Sequence, residues 1–224
     1  MPDRARVYYY TMPDGTIKQI NPFSGREVWT VPERSYKAII GGIPKNVKKI
    51  EKRKKEDYCD FCESRYLDTP PEKSRLVQNP SGEYNFLEHL PAKELNFSKA
   101  AFRRVPNLFE IVSLDYWVKN YDYRLSPKMQ RWKQEYLGSK EGFEHVRSIL
   151  ATKLRLLGKT QQEIDQLSDE EISRQSDSFF GGGHELIVAR RHYRPDAGND
   201  SELCSSGELT PDEHYAYLKF TIDA

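Results

Sequence analysis

The chain has 224 residues, 37% hydrophobic, 31% charged and 12% aromatic, and 35 Lys+Arg against 34 Asp+Glu leave a net charge of +1. That length can bury a core as one large or two small domains, and the aromatic share excludes wholesale disorder. Balanced charge, no apolar run near 18 residues, no signal-peptide pattern behind Met1 and only three cysteines exclude a strongly basic nucleic-acid binder, a membrane span and a disulfide scaffold, and point to a cytoplasmic globular protein.

Residues 7–31 read as a meander of short antiparallel strands. Val7-Tyr8-Tyr9-Tyr10-Thr11 is β-branched and aromatic, Pro13-Asp14-Gly15 is a turn, and Thr16 to Ile20 alternates. Asn21-Pro22-Phe23-Ser24-Gly25 turns again into Glu27 to Val31, which Pro32 stops. The basic run Lys45 to Lys55 follows Gly41-Gly42-Ile43-Pro44; without aromatic interleaving it reads as a solvated loop or helix face, although it could touch phosphate. Residues 66–100 read as polar loop with breakers at Pro70-Pro71 and Asn79-Pro80-Ser81-Gly82, and Leu108 to Val112 alternates as a strand after Pro106.

Residues 126–175 read as helical. Ser126-Pro127 opens a helix with Met129, Trp132 and Tyr136 on one face, ended by Gly138. Phe143, Val146, Ile149, Leu150, Leu154 and Leu157 line the next, which Gly158 stops. Thr160-Gln161-Gln162-Glu163 and Ser168-Asp169-Glu170-Glu171 are capping boxes that start two short helices. Residues 179–194 return to β, 195–209 are a Gly/Asp/Ser-rich loop, and Thr210-Pro211-Asp212-Glu213 opens a last helix in which the chain stops mid-element.

The chemistry gathers at Cys59-Asp60-Phe61-Cys62. Two cysteines with this spacing can offer both sulfurs to one tetrahedral metal; the same spacing also suits a redox pair or two unpaired thiols. Of the five histidines, His192 ends a strand facing the next loop, a good position for a ligand, whereas His145 among Glu141, Glu144 and Arg147 suggests a solvated helix face. Cys59, Cys62 and His192 make three soft ligands where a structural zinc site needs four. Cys204 lies in a serine-rich loop with nothing to lower its pKa, so a Cys–His nucleophile is discounted.

Several of these stretches, in order, resemble the N-terminal half of galactose-1-phosphate uridylyltransferases, a branch of the histidine-triad superfamily. They are Asn21 to Arg34, Cys59 to Cys62, Arg104-Val105-Pro106-Asn107-Leu108-Phe109, and Gly183-His184-Glu185-Leu186-Ile187-Val188 through His192. The resemblance spans about residues 16 to 195 and implies an α+β fold with an antiparallel sheet of the histidine-triad-like transferase type. A helical insertion over about 115–178 is this chain's departure.

By that resemblance Cys59, Cys62 and His192 hold zinc, and the fourth ligand comes from a C-terminal half. Arg34 and Lys37 lie near phosphate, Asn107 contacts the nucleotide and Phe61 walls the base pocket. The implied reaction passes a nucleotidyl group through a histidine intermediate to a sugar phosphate. The partners are a nucleotide sugar and a sugar phosphate, with neither membrane nor nucleic acid, and a homodimer is compatible. The family's His-x-His-x-His-Gly nucleophile motif does not occur in these 224 residues, so no catalytic residue is assigned and the chain reads as one half of an enzyme, inactive alone. Alternatives are a phosphorylase or hydrolase of the same superfamily, or a non-catalytic zinc-stabilised module that binds an anionic partner through Lys45 to Lys55.

Overall fold

The computed structural model describes residues 8–30, 49, 59–110, 112–194, 196–199, 201–202, 204 and 206–222. Arg34, Lys37 and, apart from Lys49, the basic run Lys45 to Lys55 lie outside the described residues. The chain divides into two compact units: Met1–Ile43 with Ile111–Arg124, and Pro44–Glu110 with Leu125–Ala224.

The first unit holds the meander β1 (Tyr9–Thr11), β2 (Ile17–Ile20) and β3 (Glu27–Thr30), paired antiparallel in that order. Its turns follow from sequence. Asp14 accepts from the Thr16 amide at 3.0 Å and the Thr16 hydroxyl at 2.8 Å, next to Gly15 at φ 85°. Asn21 accepts from the Phe23 and Ser24 amides ahead of Gly25 at φ 67°. Lys18 pairs with Trp29 across the ladder, and Trp29 stacks on Tyr116 of α1 (Leu114–Tyr121) with ring centroids 5.4 Å apart. The helical stretch expected over about 115–178 is therefore divided, because its first helix offers Tyr116 and Trp117 to the meander.

In the second unit β4 (Ser74–Gln78), β5 (Tyr84–Glu88), β6 (Phe102–Pro106) and β7 (Glu185–Ala189) form an antiparallel sheet of order β5-β4-β6-β7. The β4–β5 hairpin occupies a stretch expected to be loop. Its breakers, Asn79 to Gly82, are the hairpin turn, and its polarity misleads because Lys73 and Arg75 are buried. Of the stretch Leu108 to Val112 expected as a strand, the described residues are not one: the ladder with β7 ends at Pro106, and the Asn107 side chain accepts from the Phe109 amide, turning the chain away.

The helices α2 (Pro127–Leu137), α3 (Lys140–Leu156), α4 (Gln161–Asp165) and α5 (Asp169–Gln175) follow the predicted stripes and capping boxes. Phe179 and Phe180, expected in β structure, sit in α6 (Asp177–Gly181) and are fully buried against Trp132, Tyr136, Val146, Ile149 and Ile172. On the sheet, Leu76 and Phe102 pack with Ala216 and Phe220 of α7 (Pro211–Ile222). Successive strand residues face opposite ways, so Arg75 and Arg103 point to the other side, directly paired across β4 and β6.

Those two arginines would be costly to bury alone. The Glu72 carboxylate accepts from both, Arg75 also reaches the Leu95 and Ser98 carbonyls at 2.8 Å, and Arg103 reaches the Thr69 hydroxyl at 2.8 Å. His145 corrects the expectation of a solvated face. It is 5% exposed, and its ring nitrogens lie 2.8 Å from the Thr69 carbonyl and 2.7 Å from the Tyr136 hydroxyl. Its acidic neighbours in sequence, Glu141 and Glu144, are exposed. Among the described residues no helix is long and apolar enough to cross a membrane.

Candidate metal centre

The Cys59 to Cys62 segment is a tight turn. The Cys62 amide donates to the Cys59 carbonyl at 2.9 Å, and the Cys59 amide points to the Cys62 sulfur at 3.4 Å. A 3-10 turn, Glu63–Asp68, follows, and Arg65 ties the corner by pairing with Asp60 at 2.8 Å and Asp68 at 2.5 Å. This folding brings the two sulfurs to 3.5 Å, with Cys62 buried and Cys59 half-buried. The third donor arrives from β7, whose chain continues three residues past Ala189 to His192.

His192 Nδ1 lies 3.2 Å from Cys59 Sγ and 3.7 Å from Cys62 Sγ, and the three donor atoms all fall within 4.8 Å of one another. A tetrahedral metal with bonds near 2.3 Å to sulfur separates two sulfurs by about 3.8 Å, so these spacings suit one small tetrahedral ion. The group can hold a metal ion. Two thiols and an imidazole are a soft donor set, unlike the all-oxygen ligands that calcium and magnesium take.

Burial pushes the Cys59 thiol up to about 11, with the adjacent Cys62 adding to the rise. Burial also lowers the His192 pKa, which keeps the imidazole neutral and able to donate a lone pair. A metal that enters must displace protons from the thiols, so its binding strengthens as pH rises.

Beside the cluster lies a cavity of about 630 Å³, lined by Cys59, Phe61, His192 and Tyr193 together with Leu186 and Val188 of β7. Arg191, also in its wall, is committed to the Glu208 carbonyl at 3.0 Å and the Glu213 carboxylate at 2.6 Å.

Of the residues predicted for function, Cys59, Cys62, His192 and Phe61 come together here. Asn107 does not join them. It follows β6 at the end where Pro106 pairs with Glu185, whereas His192 follows β7 at the Phe102–Ala189 end. A five-residue ladder at about 3.4 Å per residue holds these ends roughly 14 Å apart. At its own end the Asn107 amide donates to the His184 carbonyl at 2.9 Å, and its side chain lies 3.4 Å from His184 Nδ1.

Sequence reading passed over the buried Glu72–Arg75–Arg103 group. The spacing of Glu72 and Arg75, three residues apart at a strand entry, was the available signal.

Fold and site together define a mixed α+β protein of antiparallel sheets that carries a Cys–Cys–His group able to hold a metal. More specifically, residues 12–224 match the family described as Domain of unknown function (DUF4921), and the chain belongs to that family. Comparison with curated proteins and with solved structures gives no match.

Proposed function

We propose that this chain is the zinc-holding part of a nucleotidyltransferase related to the galactose-1-phosphate uridylyltransferases, with a sheet of the histidine-triad-like type. The observation that carries the reading is the convergence of Cys59, Cys62 and His192 on one point beside a cavity walled by Phe61. These are the residues that the sequence resemblance names for zinc and for the base.

Zinc at this position ties the Cys59 turn to the end of β7, fixing Phe61 and the cavity wall. That is a structural task, because both thiolates and the imidazole nitrogen are taken up as ligands and none is left free to act as a nucleophile. Cys59 and Cys62 supply thiolates, His192 supplies Nδ1, and the apolar side chains of β7 shape a dry recess for a planar base. Arg34, Lys37 and Asn107 are proposed to serve the phosphates and the nucleotide. The proposed substrates are a nucleotide sugar and a sugar phosphate.

Calorimetric titration of the zinc-loaded chain with a uridine diphosphate sugar tests the reading. Binding that is weakened at least tenfold by Phe61→Ala and lost in Cys59→Ser supports it. Metal analysis that finds no zinc, or a loaded chain indifferent to the nucleotide sugar, overturns it.

A further inference from the structure

We infer that Cys204 is the fourth ligand of the Cys59–Cys62–His192 centre, so that the metal site closes within this chain. The inference rests on the metal reading of that cluster, and it departs from the expectation that the last ligand comes from a second half.

Three donors leave one corner of a tetrahedron open. The chain past His192 turns back on itself through the loop that begins at Arg194. The Cys204 amide donates to the His192 carbonyl at 2.8 Å, and the Arg194 amide donates to the Glu202 carbonyl at 3.2 Å. Both bonds obey a single antiparallel register, 192 against 204 and 194 against 202. Residues directly opposed in such a pair carry their side chains on the same side, with Cβ atoms about 4.5–5.5 Å apart. The register thus carries the Cys204 side chain on the same side of the pair as the His192 imidazole, and Cys204 lines the same cavity as Cys59 and His192.

The loop is built rather than slack. The Glu202 carboxylate accepts from the Gly198 amide and the Asn199 side chain, both at 2.6 Å. Ala197 is buried against Tyr193, with Cys59 packed on the same small cluster. These contacts hold the described residues of the loop together and set Ala197 against Tyr193 and Cys59 beside the site. The Cys204 sulfur stands outside the 4.8 Å group of three, so ligation requires rotation about its Cα–Cβ bond when metal enters. Loss of the thiol proton then gives a Cys3His set. That set is closed, with no coordination position for water or substrate, and it assigns the metal a structural task.

Two measurements on the full chain test this. In the first, zinc-loaded and chelator-treated protein is exposed to a thiol-alkylating reagent, and labelling is read cysteine by cysteine by mass spectrometry. Zinc is expected to slow alkylation of Cys59, Cys62 and Cys204 alike, by tenfold or more. Protection of Cys59 and Cys62 with Cys204 labelled at an unchanged rate overturns the inference and leaves the three-ligand centre standing. No protection of any cysteine overturns both. In the second, Co(II) replaces zinc, and the sulfur-to-cobalt absorption is expected to fall by about a third in Cys204→Ala as three thiolates become two. An unchanged band overturns the assignment.

Discussion

Cys59 and His192 stand 133 positions apart in the chain, yet Cys59 Sγ and His192 Nδ1 are 3.2 Å apart. Each comes from a segment with little regular structure of its own, one a tight turn and the other a strand overrun. A metal shared between them joins distant parts of the chain, so its binding free energy is also folding free energy. Zinc held at 100 times its dissociation constant adds about 2.7 kcal/mol to stability. A chelator is expected to lower the thermal midpoint of the wild-type chain by several degrees. Cys59→Ser and His192→Ala should start lower and show no response to chelator. Differential scanning fluorimetry with and without chelator checks this, and equal chelator shifts in all three proteins would place the metal elsewhere.

Glu72 is 1% exposed and holds two buried guanidinium groups, Arg75 at 0% and Arg103 at 3% side-chain exposure. Removing the shared carboxylate leaves two cations facing each other across the β4–β6 ladder with no counter-charge. Glu72→Gln is expected to cost about 3–5 kcal/mol, the usual penalty for breaking a buried pair by taking away one partner. The exposed i,i+4 pair Lys140–Glu144 gives the contrast: Glu144→Gln should stay within about 0.5 kcal/mol. Urea denaturation of the two variants measures both. A Glu72→Gln cost no larger than that of Glu144→Gln would show that water reaches the arginines.

Much of the secondary structure was legible, and the misread buried polar residues share one cause. Helix α3 declares itself through Val146, Ile149 and Leu150, and the capping boxes at Thr160 and Ser168 form as written because their signals are local. The β4–β5 hairpin did not, because Arg75 reads as surface until the Leu95 and Ser98 carbonyls are brought to it from elsewhere. His145 failed likewise: its sequence neighbours are charged, while its partners Thr69 and Tyr136 come from other elements. The metal centre was half legible. The CxxC spacing names two donors locally and the strand end offers His192 as a third, but only the fold brings His192 to the cysteines and sets Cys204 opposite it.

Gly142, at the start of α3, is a second place where a local rule is overridden. A Gly→Ala change inside a helix ordinarily stabilises by about 0.5–1 kcal/mol. A Cβ on Gly142 would lie 2.0 Å from the Tyr136 carbonyl oxygen and 2.7 Å from the Ser139 hydroxyl that caps the helix. Backbone must shift to admit it, so Gly142→Ala is expected to destabilise by about 1–3 kcal/mol. Chemical denaturation decides the sign, and a gain in stability would show that the α2–α3 corner relaxes freely.

His145 supplies a dependence on pH whose direction follows from its bonds. The Thr69 carbonyl can only accept, so Nε2 carries the proton, and Nδ1 accepts from the Tyr136 hydroxyl; the ring is held neutral. Burial lowers its pKa below the ordinary 6.5. A group whose pKa is depressed on folding leaves stability untouched while it is neutral in both states. As pH falls below 6.5 the unfolded chain takes up the proton first, and stability declines until the folded pKa is passed. His145→Gln is expected to cost about 1–3 kcal/mol at pH 7 by unpairing the Tyr136 hydroxyl and the Thr69 carbonyl. The variant lacks this protonation step, so the gap between it and the wild type should narrow as pH drops from 7 towards 5. Urea midpoints for both proteins across that range provide the test. A gap that stays constant would mean that His145 takes up its proton equally well in the folded and unfolded chain.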